Sequence, residues 1–205
     1  MKRFLIVLTA LILGYLAYDT ARYYLGWYID LQPDAPVSAF MSTDAQHLYM
    51  DRGAGPEEFT VKGVNLGVGI PGEWATDYAV SKETYLRWFA QMQEMGANTV
   101  RLAHYQHAQY FYDLCDKYGL VAWAEIPYIT EHIPEGRANT LSQMTELVVQ
   151  NYNHPSIVCW GLSNEITGSG KTEDLVENHK LLNDLCHKLD ATRPTTMAHI
   201  FMLDA

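Results

Sequence analysis

The sequence predicts an α/β fold, a parallel sheet covered by helices, and three observations carry that reading. From Phe59 onward, short apolar runs alternate strictly with amphipathic stretches in the order β-α-β-α-β-α-β-α-β. The runs are nearly continuous in apolar residues, as strands buried on both faces are. Polar or charged residues close one run after another. Two architectures satisfy this order, a doubly wound open sheet and part of a (β/α)8 barrel. Both place ligands at the carboxyl ends of the strands.

Ahead of the alternating region, Lys2-Arg3 precede an uncharged apolar stretch from Phe4 to Tyr18, and the aromatic-rich ARYYLGWYI comes next. A basic segment before an apolar one is the pattern of a secretory signal. The aromatics suit a membrane interface, and no A-x-A-like cleavage site stands out. Residues 1–31 are therefore expected to form a signal-anchor or transmembrane helix with an interfacial segment. Such a helix would hold the rest of the chain outside the cytoplasm, in a periplasmic or extracellular location; secretion after cleavage is the second choice. Residues 32–58, punctuated by Pro33, Pro36, Gly53, Gly55 and Pro56, read as a linker with one short strand around HLYM.

The elements of residues 59–205 come in order. FTVKGVNL is a short β-branched run. SKETYLRWFAQMQEMG spaces Tyr85, Trp88, Phe89, Met92 and Met95 on one helical face, with Ser81 as its cap and Gly96 as its stop. ANTVRLAHY is the next strand. HAQYFYDLCDKYG is a helix that buries Phe111, Leu114, Cys115 and Tyr118 and ends at Gly119. LVAWAEIP is a strand closed by Pro127, and a loop of roughly a dozen residues succeeds it, longer than the usual connection. TLSQMTELVVQNY opens on Thr140-x-x-Gln143, a capping-box pattern. SIVCWGLSNE is a strand, TEDLVENHKLLNDLCHKLD a helix with acids in its first turn, and RPTTMAHIF a last strand.

Composition narrows the function. Hydrophobic residues make up 48% of the chain and charged ones 19%, which is globular and sufficient for one core. The net charge of -10 and the lack of a basic stripe argue against nucleic acid as a partner. Cys115, Cys159 and Cys186 have neither disulfide-framework nor zinc spacing and read as buried thiols, with a Cys115–Cys186 bridge as the alternative. Gly67-x-Gly69-x-x-Gly72 matches a dinucleotide fingerprint, but Pro71 intervenes and no acidic residue closes the next strand. GSGKT at 168–172 lacks the first glycine of a phosphate-binding loop, since Glu165 stands there. His104 and His107 lack a third ligand in sequence. No cofactor and no metal are expected.

The strand ends are where chemistry collects. The first strand ends near Asn65, the second carries Arg101 and His104, the third ends at Glu125, the fourth at Asn164-Glu165, and the fifth carries His199. One polar tip is ordinary; a succession of them suggests a shared site.

NHPSIVCWGLSNE, residues 153–165, resembles the acid/base motif of glycoside hydrolase family 2, the β-galactosidase and β-glucuronidase family. The match rests on Asn153, His154, Pro155, Ser156, Trp160, Asn164 and Glu165. VRLAHYQHAQYFYDLCDKYGLVAWAEIP resembles the family's segment from barrel strand two through strand three, at Arg101, His104, Tyr105, Leu114, Cys115, Asp116, Tyr118, Gly119, Leu120 and Glu125. FTVKGVN resembles the opening strand. The resemblance implies a partial (β/α)8 TIM barrel of about five βα units over residues 59–205.

It also implies a retaining glycosidase acting on β-glycosides, with carbohydrate as the partner. Glu165 would be the general acid/base, its pKa raised by burial near a second carboxylate. Asn164, His104, Arg101, Glu125, Trp160 and His199 would form the substrate-binding set, although Trp160, inside its strand, reads first as a core residue and only second as an aromatic at a sugar face. Asn164 is implied to bond the sugar 2-OH. Glu125 is implied either to shape the site or to serve as a buried partner of Arg101.

The chain departs from the family's pattern in three respects. No residue after Glu165 matches its nucleophile. Residues 59–205 fall short of the about 250 a complete barrel takes, so the chain reads as a fragment that ends after strand five. GVGIPGEWATDY lacks the charged residues that come after Val-Asn in the family. Two other functions stay open. One is a non-catalytic, membrane-tethered carbohydrate-binding or scaffold remnant of the same barrel. The other is a different α/β enzyme with Glu165 as base or metal ligand.

Overall fold

The computed structural model describes residues 2–24, 40–44, 46–67, 80–166 and 172–199. Helix α1 spans Lys2–Tyr24. Strands β1 (Phe40–Thr43), β2 (Leu48–Asp51) and β3 (Pro56–Glu58) form a small antiparallel sheet. Then come β4 (Gly63–Leu66), α2 (Lys82–Glu94), β5 (Thr99–Leu102), α3 (Gln109–Tyr118), β6 (Val121–Glu125), α4 (Arg137–Asn151), β7 (Ile157–Asn164), α5 (Glu173–Leu189) and β8 (Thr195–Ala198).

The parallel sheet runs β4-β5-β6-β7-β8, in sequence order. That order decides between the two architectures. A doubly wound sheet reverses its strand order at a switch point, whereas right-handed crossovers that never reverse place every helix on one face. The sheet is thus a barrel wall. Its register makes the two faces explicit. Val64, Val100, Ala122 and Ile157 stand side by side, as do Leu66, Leu102, Ala124 and Trp160. This is the helix-covered face, and Val100, Leu102, Ala122, Ala124, Ile157 and Trp160 are all buried there. Asn65, Arg101, Trp123 and Cys159 form the alternate row, on the inner face, where none is fully buried.

The helices close the outer layer as their patterns predict. Ser81 caps α2 by accepting from the Thr84 N–H, and Thr172 caps α5 by accepting from the Leu175 N–H. Gly119 ends α3 in the left-handed conformation, φ 73°, which a residue with a side chain adopts only at a cost. Helix α4 differs from expectation. It begins at Arg137, fed by a 3-10 turn at Pro134–Gly136, and the Thr140 hydroxyl donates to the Arg137 carbonyl inside the helix. Thr140 is therefore not a cap. Met95 and Tyr118, expected on buried stripes, are exposed at helix ends.

Two expectations about the front of the chain change. The stretch read as a linker carries β1–β3, with HLYM supplying β2. Asp44 builds its first turn by accepting from the Gln46 and His47 N–H groups, and Asp51 builds the second by accepting from Gly53 and Gly55. Met50 of this sheet packs with Val121 and Val158 at the amino ends of β6 and β7. The N-terminal segment is helical, but among the described residues no helix is long and apolar enough to cross a membrane. The apolar stretch Phe4–Tyr18 at 1.5 Å per residue covers roughly 23 Å, against a hydrocarbon core of about 30 Å. All three cysteines are free, so the Cys115–Cys186 bridge is not formed. Most of the glycine motif at 67–72, all but Gly67, and most of GSGKT lie outside the described residues.

Candidate active site

Glu125 closes β6, and its side chain is fully buried. An isolated buried carboxylate is costly, and three donors surround this one. Arg101, from β5, donates from Nε to Oε2 at 2.9 Å and from Nη2 to Oε1 at 3.0 Å. His104 Nδ1 lies 2.5 Å from Oε1. The same Arg101 Nη2 donates to Asn164 Oδ1 at 2.8 Å, and the guanidinium lies over the Trp123 ring with its carbon 4.6 Å from the centroid. Four side chains from three adjacent strand ends thus share one hydrogen-bonded cluster on the inner face.

The orientation of each polar group is set by its partners. A guanidinium can only donate, so Asn164 presents its oxygen to Arg101 and keeps its NH2 as a donor for another partner. A carboxylate can only accept, so His104 carries a hydrogen on Nδ1. Gly161 makes the arrangement sterically feasible. A Cβ at this position would stand 2.4 Å from the Glu125 Cβ and 2.5 Å from the Trp123 Nε1. Sequence reading missed Gly161, although a glycine inside an apolar strand is itself a signal of close approach.

Glu165 comes directly after β7. It is exposed and lies in the left-handed region at φ 50°. Its N–H donates to the Ala198 carbonyl at 2.9 Å, which ties the tip to β8. The burial expected from sequence is absent among the described residues, because the inner face beside it is open. His199 succeeds β8 and is also exposed. Trp160 is a correction. It belongs to the helix-covered row, is fully buried, and donates from Nε1 to Asp190 Oδ2 at 3.0 Å. It is a core residue outside the cluster. Glu125 is the buried partner of Arg101 and at the same time the anchor of His104.

Other reactive groups are accounted for. Burial pushes the Cys159 thiol up to about 12, with Glu125 adding to the rise, so it stays protonated and is a poor nucleophile. Asp113, Asp116 and His154 are close enough together to hold a cation. The His154 nitrogens are already committed, Nδ1 to Asp116 at 2.6 Å and Nε2 to Gln109 Oε1 at 2.8 Å, and Asp116 also accepts from the Ser156 N–H. The Asn-His-Pro-Ser segment thus works as a brace between α3 and the start of β7.

The comparisons with known proteins agree with the barrel fold. Residues 75–202 match the family model described as glycosyl hydrolases family 2, TIM barrel domain. A β-glucuronidase of Bacteroides fragilis is 48% identical over 118 residues, which is 53% of this chain and 17% of that protein. A β-galactosidase of Lactococcus lactis is 34% identical over 65% of this chain and 13% of its own length. The chain therefore spans a small part of the curated relatives it matches. Among solved structures, an FMN-binding β-glucuronidase from Facaelibacterium prausnitzii superposes with a TM-score of 0.69 at 38% identity, covering 78% of this chain and 24% of that one. β-glucuronidase 3 of Bacteroides uniformis gives a TM-score of 0.69 at 28% identity over 78% of this chain and 20% of its own.

Proposed function

The chain belongs to glycosyl hydrolase family 2, and from that premise we propose that its barrel hydrolyses β-glycosides by a retaining mechanism with Glu165 as the general acid/base. The observation that carries the reading is the cluster of Arg101, Glu125, His104 and Asn164 on adjacent strand ends, with Glu165 as the next residue of the chain. Glu165 protonates the leaving glycosidic oxygen and then takes a proton from the incoming water. Arg101 fixes the Asn164 oxygen, and this turns the amide into a donor suited to the sugar 2-OH, a contact that strengthens in the transition state. Glu125 holds Nδ1 of His104, leaving Nε2 on the far side of the ring to meet the sugar. His199, exposed at the end of β8, lines a cavity with Ser163 and His179 beside α5 and lies outside the cluster.

A retaining mechanism also needs a nucleophilic carboxylate about 5 Å from the acid/base. Glu125 is unsuited to attack while its oxygens hold Arg101 and His104. The proposal therefore draws the nucleophile from outside the described residues.

The test is an assay of the polypeptide of the complete reading frame on aryl β-glucuronides and aryl β-galactosides. Release from either supports the proposal and names the sugar. A folded protein that releases neither contradicts it, and sugar binding without release would favour the carbohydrate-binding remnant. We extend the proposal to location. Lys2-Arg3 and the exposed apolar side chains of α1, Phe4, Leu5, Ile6 and Leu11 among them, suit delivery of the barrel across a membrane. Protease added to cells stripped of any outer membrane should reach the barrel; full protection there would contradict that location.

A further inference from the structure

Among the described residues, two that are not glycine lie in the left-handed region, Thr130 at φ 67° and Glu165 at φ 50°. They stand at the two ends of one contact. The Asn164 N–H donates to the Tyr128 carbonyl at 2.9 Å, and the Thr130 N–H donates to the Asn164 carbonyl at 3.1 Å. The loop after β6 thus wraps the tip of β7 through its backbone. Unfavourable conformations of this kind persist only where the surroundings fix them, and they concentrate at functional sites.

The surroundings here form a chain of side chains. The Tyr128 hydroxyl lies 2.6 Å from His132 Nδ1, and His132 Nε2 lies 2.5 Å from Asp174 Oδ2 in the first turn of α5. Asp174 accepts, so Nε2 carries a hydrogen and Nδ1 accepts from the Tyr128 hydroxyl. Arg137, at the start of α4, pairs with the other oxygen of Asp174 and also reaches Glu177 at 3.3 Å. The His132 side chain is only 2% exposed. On the other side of the loop, the Tyr128 and His179 rings lie with centroids 5.5 Å apart. His179 donates from Nδ1 to the Leu175 carbonyl and accepts at Nε2 from the Ser163 hydroxyl, one residue before Asn164. The loop after β6, the starts of α4 and α5, and the end of β7 are therefore joined on the side away from Arg101.

We infer that His132, held between Tyr128 and Asp174, is a positioning residue for Glu165, acting through the Tyr128 carbonyl and the Thr130 amide on Asn164. This rests on the reading of Glu165 as the acid/base. The inner cluster fixes the Asn164 side chain, and the outer clasp fixes its backbone. The direction in which the next residue leaves the strand is set by both.

The test is amide hydrogen exchange on the polypeptide of the complete reading frame. In His132→Ala the Thr130 and Asn164 amides should exchange on the order of tenfold faster, while those of Leu102 and Ala124, deep in the sheet, hold their rates. His132→Gln, which keeps a donor and an acceptor on the side chain, should restore most of the protection. The 13C resonance of the Glu165 carboxyl should move in the alanine variant and return in the glutamine one. Tyr128→Phe, which removes one hydroxyl, gives the same pattern at smaller size and decides the matter if His132→Ala does not fold. Unchanged Thr130 and Asn164 exchange, or acceleration spread evenly across the sheet, would overturn the inference. Failure of the acid/base reading is seen separately, as indifference of turnover to Glu165→Gln with the exchange result intact.

Discussion

Two buried carboxylates in this molecule are each paired with an arginine, and they do different things. Asp190, just past α5, accepts from Trp160, from the Thr192 N–H and hydroxyl, and from Arg193 Nη1 at 2.7 Å. Arg193 spends its other donors on the carbonyls of Ile157, Tyr152 and His154. That network closes on core and backbone. Glu125 accepts from Arg101 and His104, and Arg101 spends its remaining contact on the Asn164 side chain. The network ends on side chains that retain spare hydrogen-bonding capacity and border the open inner face. The same pair chemistry therefore makes a clamp at one end of the sheet and a candidate site at the other. In barrels generally, the amino-terminal face carries stability and the carboxyl-terminal face carries function.

The comparison breaks first if the clamp is not needed. Arg193→Ala leaves Asp190 buried without its cation and should lower stability by about 3–5 kcal/mol in chemical denaturation; a loss under about 1 kcal/mol would show that the Asp190 network is incidental.

Acid should separate the two ends. Burial lowers His107, in the loop beyond β5, from 6.5 to about 4. Its neutral form is favoured in the folded state, so its contribution is complete above about pH 6.5 and is lost as pH falls toward 4, on the order of 3 kcal/mol in all. Burial alone would raise Asp190, but Thr192, Arg193 and Trp160 together hold it at about 2. Its contribution is present above about pH 4 and is lost only as pH falls toward 2. Denaturation followed against pH should show the first loss vanish in His107→Gln and the second remain.

Gly161→Ala should cost about 1–3 kcal/mol through overpacking against Glu125 and Trp123, and it should displace the Arg101–Glu125 pair, visible as a shift of the Trp123 indole resonance. Glu165→Gln is the smallest stability change. The side chain is exposed, so denaturation midpoints should agree within about 0.5 kcal/mol.

Much of this was legible in the sequence, for identifiable reasons. The strand and helix order comes from periodicity and from Ser81, Gly119 and Thr172, whose capping roles are local. The residues at strand ends were legible because a carboxylate or arginine closing an apolar run has no place in a core. Trp160 could be read as core or as facing a sugar because parity along a strand does not say which face is inner until register with a neighbour is known; the core reading is the one the structure bears out. The burial of Glu165 was misjudged because it depends on walls that the sheet formed by β4–β8 does not complete. The clasp through Tyr128, Thr130, His132 and Asp174 left no local signal. It joins residues about forty positions apart and depends on backbone angles that no residue type announces, since neither Thr130 nor Glu165 is a glycine.

The measurement that tests the central claim most directly is the leaving-group dependence of Glu165→Gln in the polypeptide of the complete reading frame. If Glu165 is the acid/base, kcat/KM should fall on the order of a thousandfold for an alkyl β-glycoside, whose leaving group needs a proton. For an aryl β-glycoside with an activated phenol it should fall less than about tenfold. Equal losses on both substrates would contradict the account.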